Sequence, residues 1–337
     1  MKIALLTPTF SPFSGIDRAV ELDVEEYIDK GNEVTIFTLR AGLKPKRAKL
    51  VVMGMPKNPF FERVYRLFFF LDIFKIRKCV KQLKEFDWII AYFYPMTLLA
   101  SMAKKKYGIK YIYWNAGIAH PRLFKKLSER LYLRLFLYFV KLSVKNADSA
   151  ISISKFMQKE LKKETGMDSV VRYVKIDKKR FNKRIRKGKI RKKYNIRKKD
   201  PLLLYVGRIS PHKGIHLLIK AFNLVLKEIP NSKLLIVGKP TFDNYTKLLK
   251  KISNKSIIFT GFVKDEDLPY YYADCDVYTT ATLWEGYNIP AVEAQACGKP
   301  VVAFNLASHP EIVKKGILVK PKNIKEFADA ILKTLKG

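Results

Sequence analysis

Short apolar runs alternate with longer stretches of helical periodicity along most of the chain, and this alternation constrains the fold more than any other feature. In the first half, the predicted strands are residues 2–7, 33–39, 88–92, 110–114 and 149–152. The predicted helices there are residues 17–30 and about 62–85, 96–106, 122–146 and 154–165. This alternation predicts a parallel sheet with helices on both faces.

A second series of the same kind follows a basic segment at 183–199, which holds 11 basic residues of 17 and no acid. A run of like charge is typical of a solvated linker or surface loop. The later predicted strands are residues 202–206, 233–237, 257–260, 277–280 and 301–304. The later predicted helices are residues 215–228, 243–252, 290–297 and 324–335.

The length of 337 residues also favours two domains over one. We therefore expect an α/β protein of two doubly wound, Rossmann-like parallel-sheet domains, with the first at 1–182 and the second at 200–323. The basic linker lies between them, and a final helix occupies 324–337. Ligands of open α/β sheets lie beyond the carboxyl ends of the strands, so we expect a site in a cleft where the domains face each other.

Composition excludes several other classes of protein. A content of 48% hydrophobic residues is enough for a sizeable core and rules out a disordered or fibrous chain. The cysteines are too scattered for a disulfide framework or a zinc site: Cys79, Cys275 and Cys297. No signal-peptide core and no uninterrupted spanning segment is visible, so we expect a cytoplasmic protein in a reducing compartment.

The formal net charge of +36 is unusual. Such a charge attracts polyanions, which include nucleic acid, acidic lipid headgroups and phosphorylated substrates. A lysine-rich proteome, as in some thermophiles, is the plainer explanation, but it leaves the shortage of acids unexplained. Charge alone therefore does not choose among these partners.

The first candidate site string follows the strand 202–206 and runs from Gly207-Arg208 to Lys213-Gly214. Two cations five residues apart on a loop between strand and helix can converge on one diphosphate, Arg208 as a planar fork and Lys213 as a point charge. The glycines allow the backbone to turn and to approach a ligand closely. An ordinary loop with exposed bases is the alternative.

The second string runs from Leu283 through Glu285 and Glu293 to Pro300. Pro290 suits the first helical position and Gly298 the residue past the helix end, so a helix of about two turns is predicted between them. Residues 286–289 would then present free amides, which bind anions. Glu285 and Glu293 could flank a polar ligand there and accept hydrogen bonds from its hydroxyl groups.

The two strings, with seven residues between Glu285 and Glu293, resemble the nucleotide-sugar site of the retaining glycosyltransferases of family 4, which have the GT-B fold. The resemblance extends over nearly the whole chain. It implies transfer of a sugar from a GDP- or UDP-sugar to a hydroxyl of a glycan or a lipid-linked acceptor, with the first domain on the acceptor side. It implies no cofactor and no metal, so neutralising the leaving phosphate falls to the bases.

The resemblance also assigns roles. Arg208 and Lys213 would hold the donor diphosphate, and Glu293 the ribose hydroxyls. The donor sugar would be held by Glu285 and by the loop that follows it, and two glycines would admit the phosphates. These loop and glycine residues are Gly286, Tyr287, Asn288, Ile289, Gly207 and Gly15.

Three departures from the family pattern bear on the site. Ser14-Gly15 stands where the family often has paired glycines, which leaves less room for a phosphate. Asn115 stands where many members have a histidine, and His120 follows five residues later. We expect one of these two side chains to reach the donor sugar, although a lone loop histidine is more often only surface-exposed. Asn288 replaces a commoner glycine, which should alter contacts around the sugar.

Seven aromatic residues interleave with basic ones between Phe60 and Phe74, and 123–142 has a similar character. Helices of this composition can lie in an anionic membrane interface, where a lipid-linked acceptor would be found. They can equally bury one face against the first sheet, and the two arrangements are compatible. A water-soluble acceptor is an alternative that the sequence leaves open.

Two other functions compete with sugar transfer. A nucleic-acid-binding protein would fit the charge and the basic segment, but no RNA- or DNA-reading motif is visible, so we expect no specific nucleic acid partner. A GT-B nucleotide-sugar epimerase or hydrolase would use the same architecture. An increase in nucleotide release on adding acceptor would separate transfer from these reactions.

Overall fold

The computed structural model describes residues 1–11, 15–118, 120–123, 126–240 and 243–336. It divides into two compact units, residues 1–175 and 176–337, so the division falls before the boundary at 182 that the sequence suggested. Each unit contains one sheet, and all strand pairs within each sheet are parallel. The predicted pair of doubly wound α/β domains is confirmed.

The sheet of unit 1 has seven strands in the order β3-β2-β1-β4-β5-β6-β7. The strands are β1 (Lys2–Phe10), β2 (Glu33–Ala41), β3 (Lys49–Val52), β4 (Trp88–Ala91), β5 (Lys110–Asn115), β6 (Ser149–Ser152) and β7 (Val170–Val171). The helices are α1 (Gly15–Asp29), α2 (Pro59–Leu67), α3 (Ile73–Leu83), α4 (Met96–Tyr107), α5 (Leu127–Val144) and α6 (Lys155–Thr165). Strand order reverses at β1 and β4, where a doubly wound sheet opens its ligand crevice.

The helix predicted at 62–85 is instead two helices, α2 and α3, joined by a short 3₁₀ turn at Phe69–Leu71. Asn58 caps α2 by accepting hydrogen bonds from the amides of Phe60 and Phe61. Asp72 caps α3 by accepting one from Lys75. Because a capping side chain satisfies amides that have no partner within the helix, each cap fixes a new helix start.

The sheet of unit 2 has six strands in the order β10-β9-β8-β11-β12-β13. The strands are β8 (Leu202–Val206), β9 (Lys233–Val237), β10 (Ile257–Gly261), β11 (Val277–Thr280), β12 (Val301–Phe304) and β13 (Gly316–Val319). The helices are α7 (Lys189–Lys193), α8 (Ile215–Glu228), α9 (Asp243–Ile252), α10 (Leu268–Asp274), α11 (Ile289–Ala296), α12 (His309–Ile312) and α13 (Ile324–Lys336). Here the order reverses between β8 and β11.

The final helix, α13, belongs to the core of unit 2. Phe327 and Ile331 are buried with residues of α8 and β12, and the rings of Phe327 and Phe304 lie 5.0 Å apart. Its apolar residues recur at helical spacing, so one face is available for burial against the sheet layer. The helix is therefore part of the second domain and not the separate element that the sequence suggested.

Most basic side chains of the segment 183–199 are exposed, as expected for the surface loop that the sequence predicted, but the segment also packs against unit 2 and is not a free linker. Ile190 and Ile196 are buried. The carboxylate of Asp274, itself buried at the end of α10, accepts hydrogen bonds from the amides of Ile190 at 2.6 Å and Arg191 at 3.1 Å. The segment contains no acid of its own, but acids elsewhere in unit 2 supply the opposite charge, such as Asp276 at 2.7 Å from Arg191.

Candidate functional site

The two motifs of unit 2 emerge side by side from the sheet. The string Gly207–Gly214 follows β8, and the string that contains Glu285 follows β11, which is the neighbour of β8. The strand order reverses between these two strands, and the carboxyl ends at such a reversal form the ligand crevice of an open α/β sheet. The sequence prediction that the motifs lie just after strands is confirmed.

Hydrogen bonds hold the two loops together. The backbone carbonyl of His212 accepts one from the Leu283 amide at 2.8 Å and one from the Thr282 hydroxyl at 3.2 Å. Gly214 has a φ of +65°, and a Cβ atom there would lie 1.8 Å from the carbonyl oxygen of Ala281. Only glycine fits such an approach, so the loops keep this register because residue 214 has no side chain.

Lys213 and Glu285 meet across the two loops. The Lys213 ammonium donates a hydrogen bond to the Glu285 carboxylate, and the two side chains are 15% and 16% exposed. Arg208 is exposed, and its carbonyl accepts a hydrogen bond from the Tyr205 hydroxyl at 3.0 Å. The loops therefore bring one carboxylate and one cation together, both mostly buried, with a second cation on the same β8 loop.

The ring of His212 lies between these cations in sequence and is half-buried. Its Nδ1 is 3.2 Å from the Ser210 hydroxyl. Burial and, to a smaller extent, the charges of Lys213 and Arg208 together lower the pKa of His212 to about 3. The imidazole is therefore neutral near pH 7, mainly because it is withdrawn from water and secondarily because its neighbours are cationic.

The start of α11 differs in part from the prediction of free amides. Gly286 and Tyr287 lie in the buried loop before the helix. The Ile289 amide is not free, because it donates to the Tyr287 carbonyl at 2.9 Å. Asn288, at φ −81° and ψ +81°, is the centre of this tight turn, an inverse γ-turn. The prediction for the Ile289 amide is therefore wrong, since the turn uses it.

Asn288 has a structural role that the sequence did not indicate. Its Oδ1 accepts a hydrogen bond from the Ala291 amide at 3.2 Å and so caps α11. Its Nδ2 lies 3.0 Å from Nε2 of His309, whose Nδ1 is 2.7 Å from the Phe304 carbonyl. A carbonyl only accepts, so His309 carries its proton on Nδ1 and accepts from Asn288 through Nε2. Burial lowers the pKa of His309, in agreement with a neutral ring.

The Asn288 side chain thus points into the fold and is 3% exposed. The predicted effect of Asn288 on contacts around the donor sugar would therefore come from its backbone or from the helix start that it caps, and it stays a prediction. The asparagine stabilises the helix start and links it to the segment that follows β12.

Glu293 lies inside α11 and is 2% exposed. Its Oε2 accepts a hydrogen bond from the Tyr272 hydroxyl at 2.7 Å. A buried carboxylate needs such a partner, because an unpaired buried charge is costly. Contact with ribose hydroxyls stays a prediction for this residue, and Tyr272 is the partner that sequence inspection missed.

Two glycines lie at the carboxyl ends of neighbouring strands. Gly207 follows β8, and a Cβ there would lie 2.8 Å from the Tyr205 hydroxyl. Gly238 follows β9, and a Cβ there would lie 1.9 Å from the carbonyl oxygen of Gly207. The sequence analysis did not single out Gly238, although its position after an apolar strand and before Lys239-Pro240 was a usable signal.

The remaining candidates lie in unit 1. Gly15 is the first residue of α1, while Ser14 of the same loop lies outside the described residues. Asn115 ends β5 and is fully buried, with its Nδ2 donating to the Ser152 hydroxyl at 3.0 Å and to the Met157 carbonyl at 2.9 Å. It joins two strands to α6, so the expectation that it reaches a sugar is contradicted by its burial.

His120 remains the better placed of the two alternatives. Its Nε2 lies 3.2 Å from Oε2 of Glu160 in α6, and the two side chains are 22% and 17% exposed. Burial lowers the pKa of His120 and outweighs the opposite effect of Glu160. The ring is half-buried beside an acid, and a contact with the donor sugar stays a prediction.

The comparisons with known proteins agree with this architecture. The model of the family described as Glycosyltransferase Family 4 matches residues 13–175, and that described as Glycosyl transferases group 1 matches residues 186–337. The O-antigen chain mannosyltransferase B of Escherichia coli is 32% identical over 138 residues, which are 40% of this chain and 36% of the relative. The match thus spans about a third of that protein's length.

Two further proteins align with almost the whole chain, one by sequence and one by structure. A glycosyltransferase of Haemophilus influenzae is 25% identical over 98% of this chain and 89% of its own length. The crystal structure of Anabaena HepE in complex with UDP and glucose superimposes with a TM-score of 0.81 at 21% identity, and covers all of this chain and 90% of that one. The fold is GT-B. With one family model matching each unit, the chain belongs to the glycosyltransferases of family 4.

Proposed function

We propose that this protein transfers a sugar from a nucleoside diphosphate sugar to a hydroxyl of a glycan or a lipid-linked acceptor, with retention of the anomeric configuration. The observation that carries the proposal is the joining of the β8 and β11 loops in unit 2. The carbonyl of His212 and the absence of a side chain at Gly214 bring Lys213 against Glu285. Family membership supports the retaining outcome.

The charge of these loops suits a leaving diphosphate. Breaking the bond between the sugar and its nucleotide leaves negative charge on a phosphate oxygen, and cations placed beforehand stabilise it most effectively. Arg208 supplies a planar fork for two phosphate oxygens, and Lys213 supplies a compact charge. We assign this neutralisation to the two side chains, and expect transfer to proceed without a divalent metal.

The ion pair between Lys213 and Glu285 suggests how donor binding is coupled to sugar recognition. A diphosphate carries more negative charge than one carboxylate, so it competes for the lysine ammonium. When Lys213 turns toward the diphosphate, Glu285 loses its cation and regains free acceptor sites for sugar hydroxyls. Both groups are mostly buried, which strengthens their interaction with the ligand relative to water.

Two of the matches support a proposal for the class of donor. One match is named a mannosyltransferase, and a GT-B structure of similar fold was solved with UDP and glucose. We therefore propose a hexose donor carried on UDP or GDP.

Thermal-shift measurements over UDP- and GDP-hexoses test the donor, since at a fixed concentration a ligand that binds the folded protein more tightly raises its melting temperature more. Transfer is then measured as nucleotide release with and without added glycan or lipid-linked acceptor. We expect Arg208→Ala and Lys213→Ala each to lower the rate of transfer by roughly 10² to 10³, the usual cost of removing one charge-stabilising group. Lys220→Ala, on the exposed side of α8, is the matched control and should leave the rate unchanged.

Three outcomes would contradict the proposal. Unimpaired transfer by both variants would show that the site is elsewhere. Nucleotide release that acceptor does not increase would indicate a hydrolase or an epimerase. Loss of activity in EDTA that added divalent metal restores would overturn the assignment of phosphate neutralisation to the two bases.

A further inference from the structure

Unit 1 carries a concentration of exposed apolar side chains that a folded water-soluble surface does not normally have. Of the twenty large apolar side chains exposed among the described residues, thirteen lie in two segments, 60–74 and 127–142. We call these thirteen residues the apolar face. They are Phe60, Phe61, Val64, Phe68, Phe70, Leu71, Ile73, Phe74, Leu127, Leu131, Leu135, Tyr138 and Leu142. Exposed apolar patches of this extent mark interaction sites.

The first part of the apolar face lies on α2, α3 and the turn between them. Phe74 is 88% exposed and Phe60 is 68% exposed. The intervening Leu67 and Phe69 are buried, so the same segment also packs inward. The sequence left open whether these helices bury a face or expose one, and the structure shows that they do both.

The second part is a stripe along α5. Its exposed members are Leu127, Leu131, Leu135, Tyr138 and Leu142. They recur every three or four residues, so they line one side of the helix.

Basic residues border the same helix. At 100° per residue, Arg130 and Arg134 fall along one edge of the stripe, as does Lys141, which is paired with Glu164 of α6 at 3.1 Å. Long basic side chains at such an edge can keep their charge in water while their stems cover apolar surface.

Direct contacts join the two parts into one layer. The Arg63 guanidinium of α2 pairs with Glu129 of α5 and lies 4.5 Å from the centre of the Tyr132 ring. The rings of Phe70 and Phe139 lie 5.1 Å apart. The apolar face is therefore a property of packed helices and not of a loose segment.

The charge around the apolar face favours an anionic partner. Residues 59–83 hold six basic and two acidic side chains, and both acids are paired with bases. In α5, the one acid, Glu129, is paired with Arg63. Acids within the layer are thus neutralised, and the unpaired charge is positive.

We propose that the apolar face docks unit 1 on an anionic lipid bilayer, with its aromatic and aliphatic side chains in the interface and the bordering bases on lipid headgroups. Amphipathic helices with this division lie in the plane of a membrane. Each base near an anionic leaflet adds to the attraction. In the described ranges, no helix has the length and hydropathy needed to cross a bilayer. This docking does not depend on the proposed activity.

A second copy of the chain fits the same face less well. Association through it would bring two chains of net charge +36 together, with the basic borders opposed. Nucleic acid would satisfy the charge, but it gives no reason for the aliphatic stripe on α5. An anionic bilayer satisfies both the charge and the apolar area.

Sedimentation with vesicles tests the proposal. The full chain should bind vesicles of phosphatidylcholine mixed with phosphatidylglycerol and bind pure phosphatidylcholine weakly. Phe74→Ser and Leu131→Ser should each lower the partition coefficient roughly tenfold, because each removes the burial of a large apolar side chain. Phe262→Ser, at an exposed position of unit 2, is the matched control. Unchanged melting temperatures would show that the variants remain folded.

Three other results would overturn the proposal. If salt abolishes vesicle binding and neither variant changes it, the binding is purely electrostatic. The apolar face would then have no role in it. Self-association in analytical ultracentrifugation, lost in Phe74→Ser without any vesicle binding, would assign the face to a second copy. RNA binding with the same sensitivity and no vesicle binding would assign it to nucleic acid.

Discussion

Replacing Gly214 by alanine tests whether the β8 and β11 loops are joined as described. The residue has φ +65°, and the new Cβ would lie 1.8 Å from the carbonyl oxygen of Ala281. Ordinary contact begins at 3.4 Å, so the two loops must move apart by more than 1 Å. That movement would disturb the hydrogen bond between the Leu283 amide and the His212 carbonyl.

The expected loss of stability follows from these terms. A left-handed conformation costs alanine roughly 1–2 kcal/mol. Weakening a backbone hydrogen bond costs about another 1 kcal/mol. A total of about 2–3 kcal/mol corresponds to a fall of roughly 4–12 °C in melting temperature for a unit of this size.

Gly261 provides a matched control within the same unit. Its φ is +71°, and no atom lies within 4 Å of the position that a Cβ would take. Gly261→Ala therefore meets the conformational cost without the collision. Thermal unfolding of both variants, followed by calorimetry, measures the difference. Equal losses for Gly214→Ala and Gly261→Ala would refute the close approach of the two loops.

Three further changes probe other contacts. Tyr272→Phe removes the hydroxyl that donates to buried Glu293, so unfolding free energy should fall by about 1–3 kcal/mol in denaturant titration; an unchanged midpoint would contradict that pairing. Ile190→Ala should cost about 2–4 kcal/mol in the same assay, and a loss near zero would restore the solvated-linker prediction. Burial raises the pKa of Asp17 to about 6, so its contribution to stability is present at pH 4 and lost by about pH 7. In Asp17→Asn, the free energy of unfolding should therefore fall less between pH 4 and pH 7 than in the unaltered protein. An identical dependence on pH in the two proteins would contradict the raised pKa of Asp17.

The strands and long helices were predictable because their side-chain periodicity is local. The helix predicted at 215–228 matches α8, and the strand at 277–280 matches β11. The points at which a predicted helix is interrupted depend on single capping side chains, and the periodicity of apolar residues does not reveal these. Asp72 is the example, since its cap divides one apolar pattern into two helices.

The site was predictable to the level of its motifs but not of its contacts. The spacing of Arg208 from Lys213 and of Glu285 from Glu293 identified the residues within each motif, and the strand order placed the two motifs together. The partners of Asn288 and Glu293 could not be foreseen, because His309 and Tyr272 come from other elements. The burial of Ile190 was not predicted for the same reason, because Asp274, the acid that caps its helix, is distant in sequence.

Equilibrium binding of a nucleoside diphosphate sugar, measured by calorimetry as a function of salt, tests the central claim most directly. If Arg208 and Lys213 hold the diphosphate, each alanine variant should weaken binding at least tenfold, since a hydrogen bond to a charged group contributes about 1.5–3 kcal/mol. The Lys220→Ala control should bind as the unaltered protein does. Equal affinity in all four proteins would contradict the assignment of the diphosphate to this pair of loops.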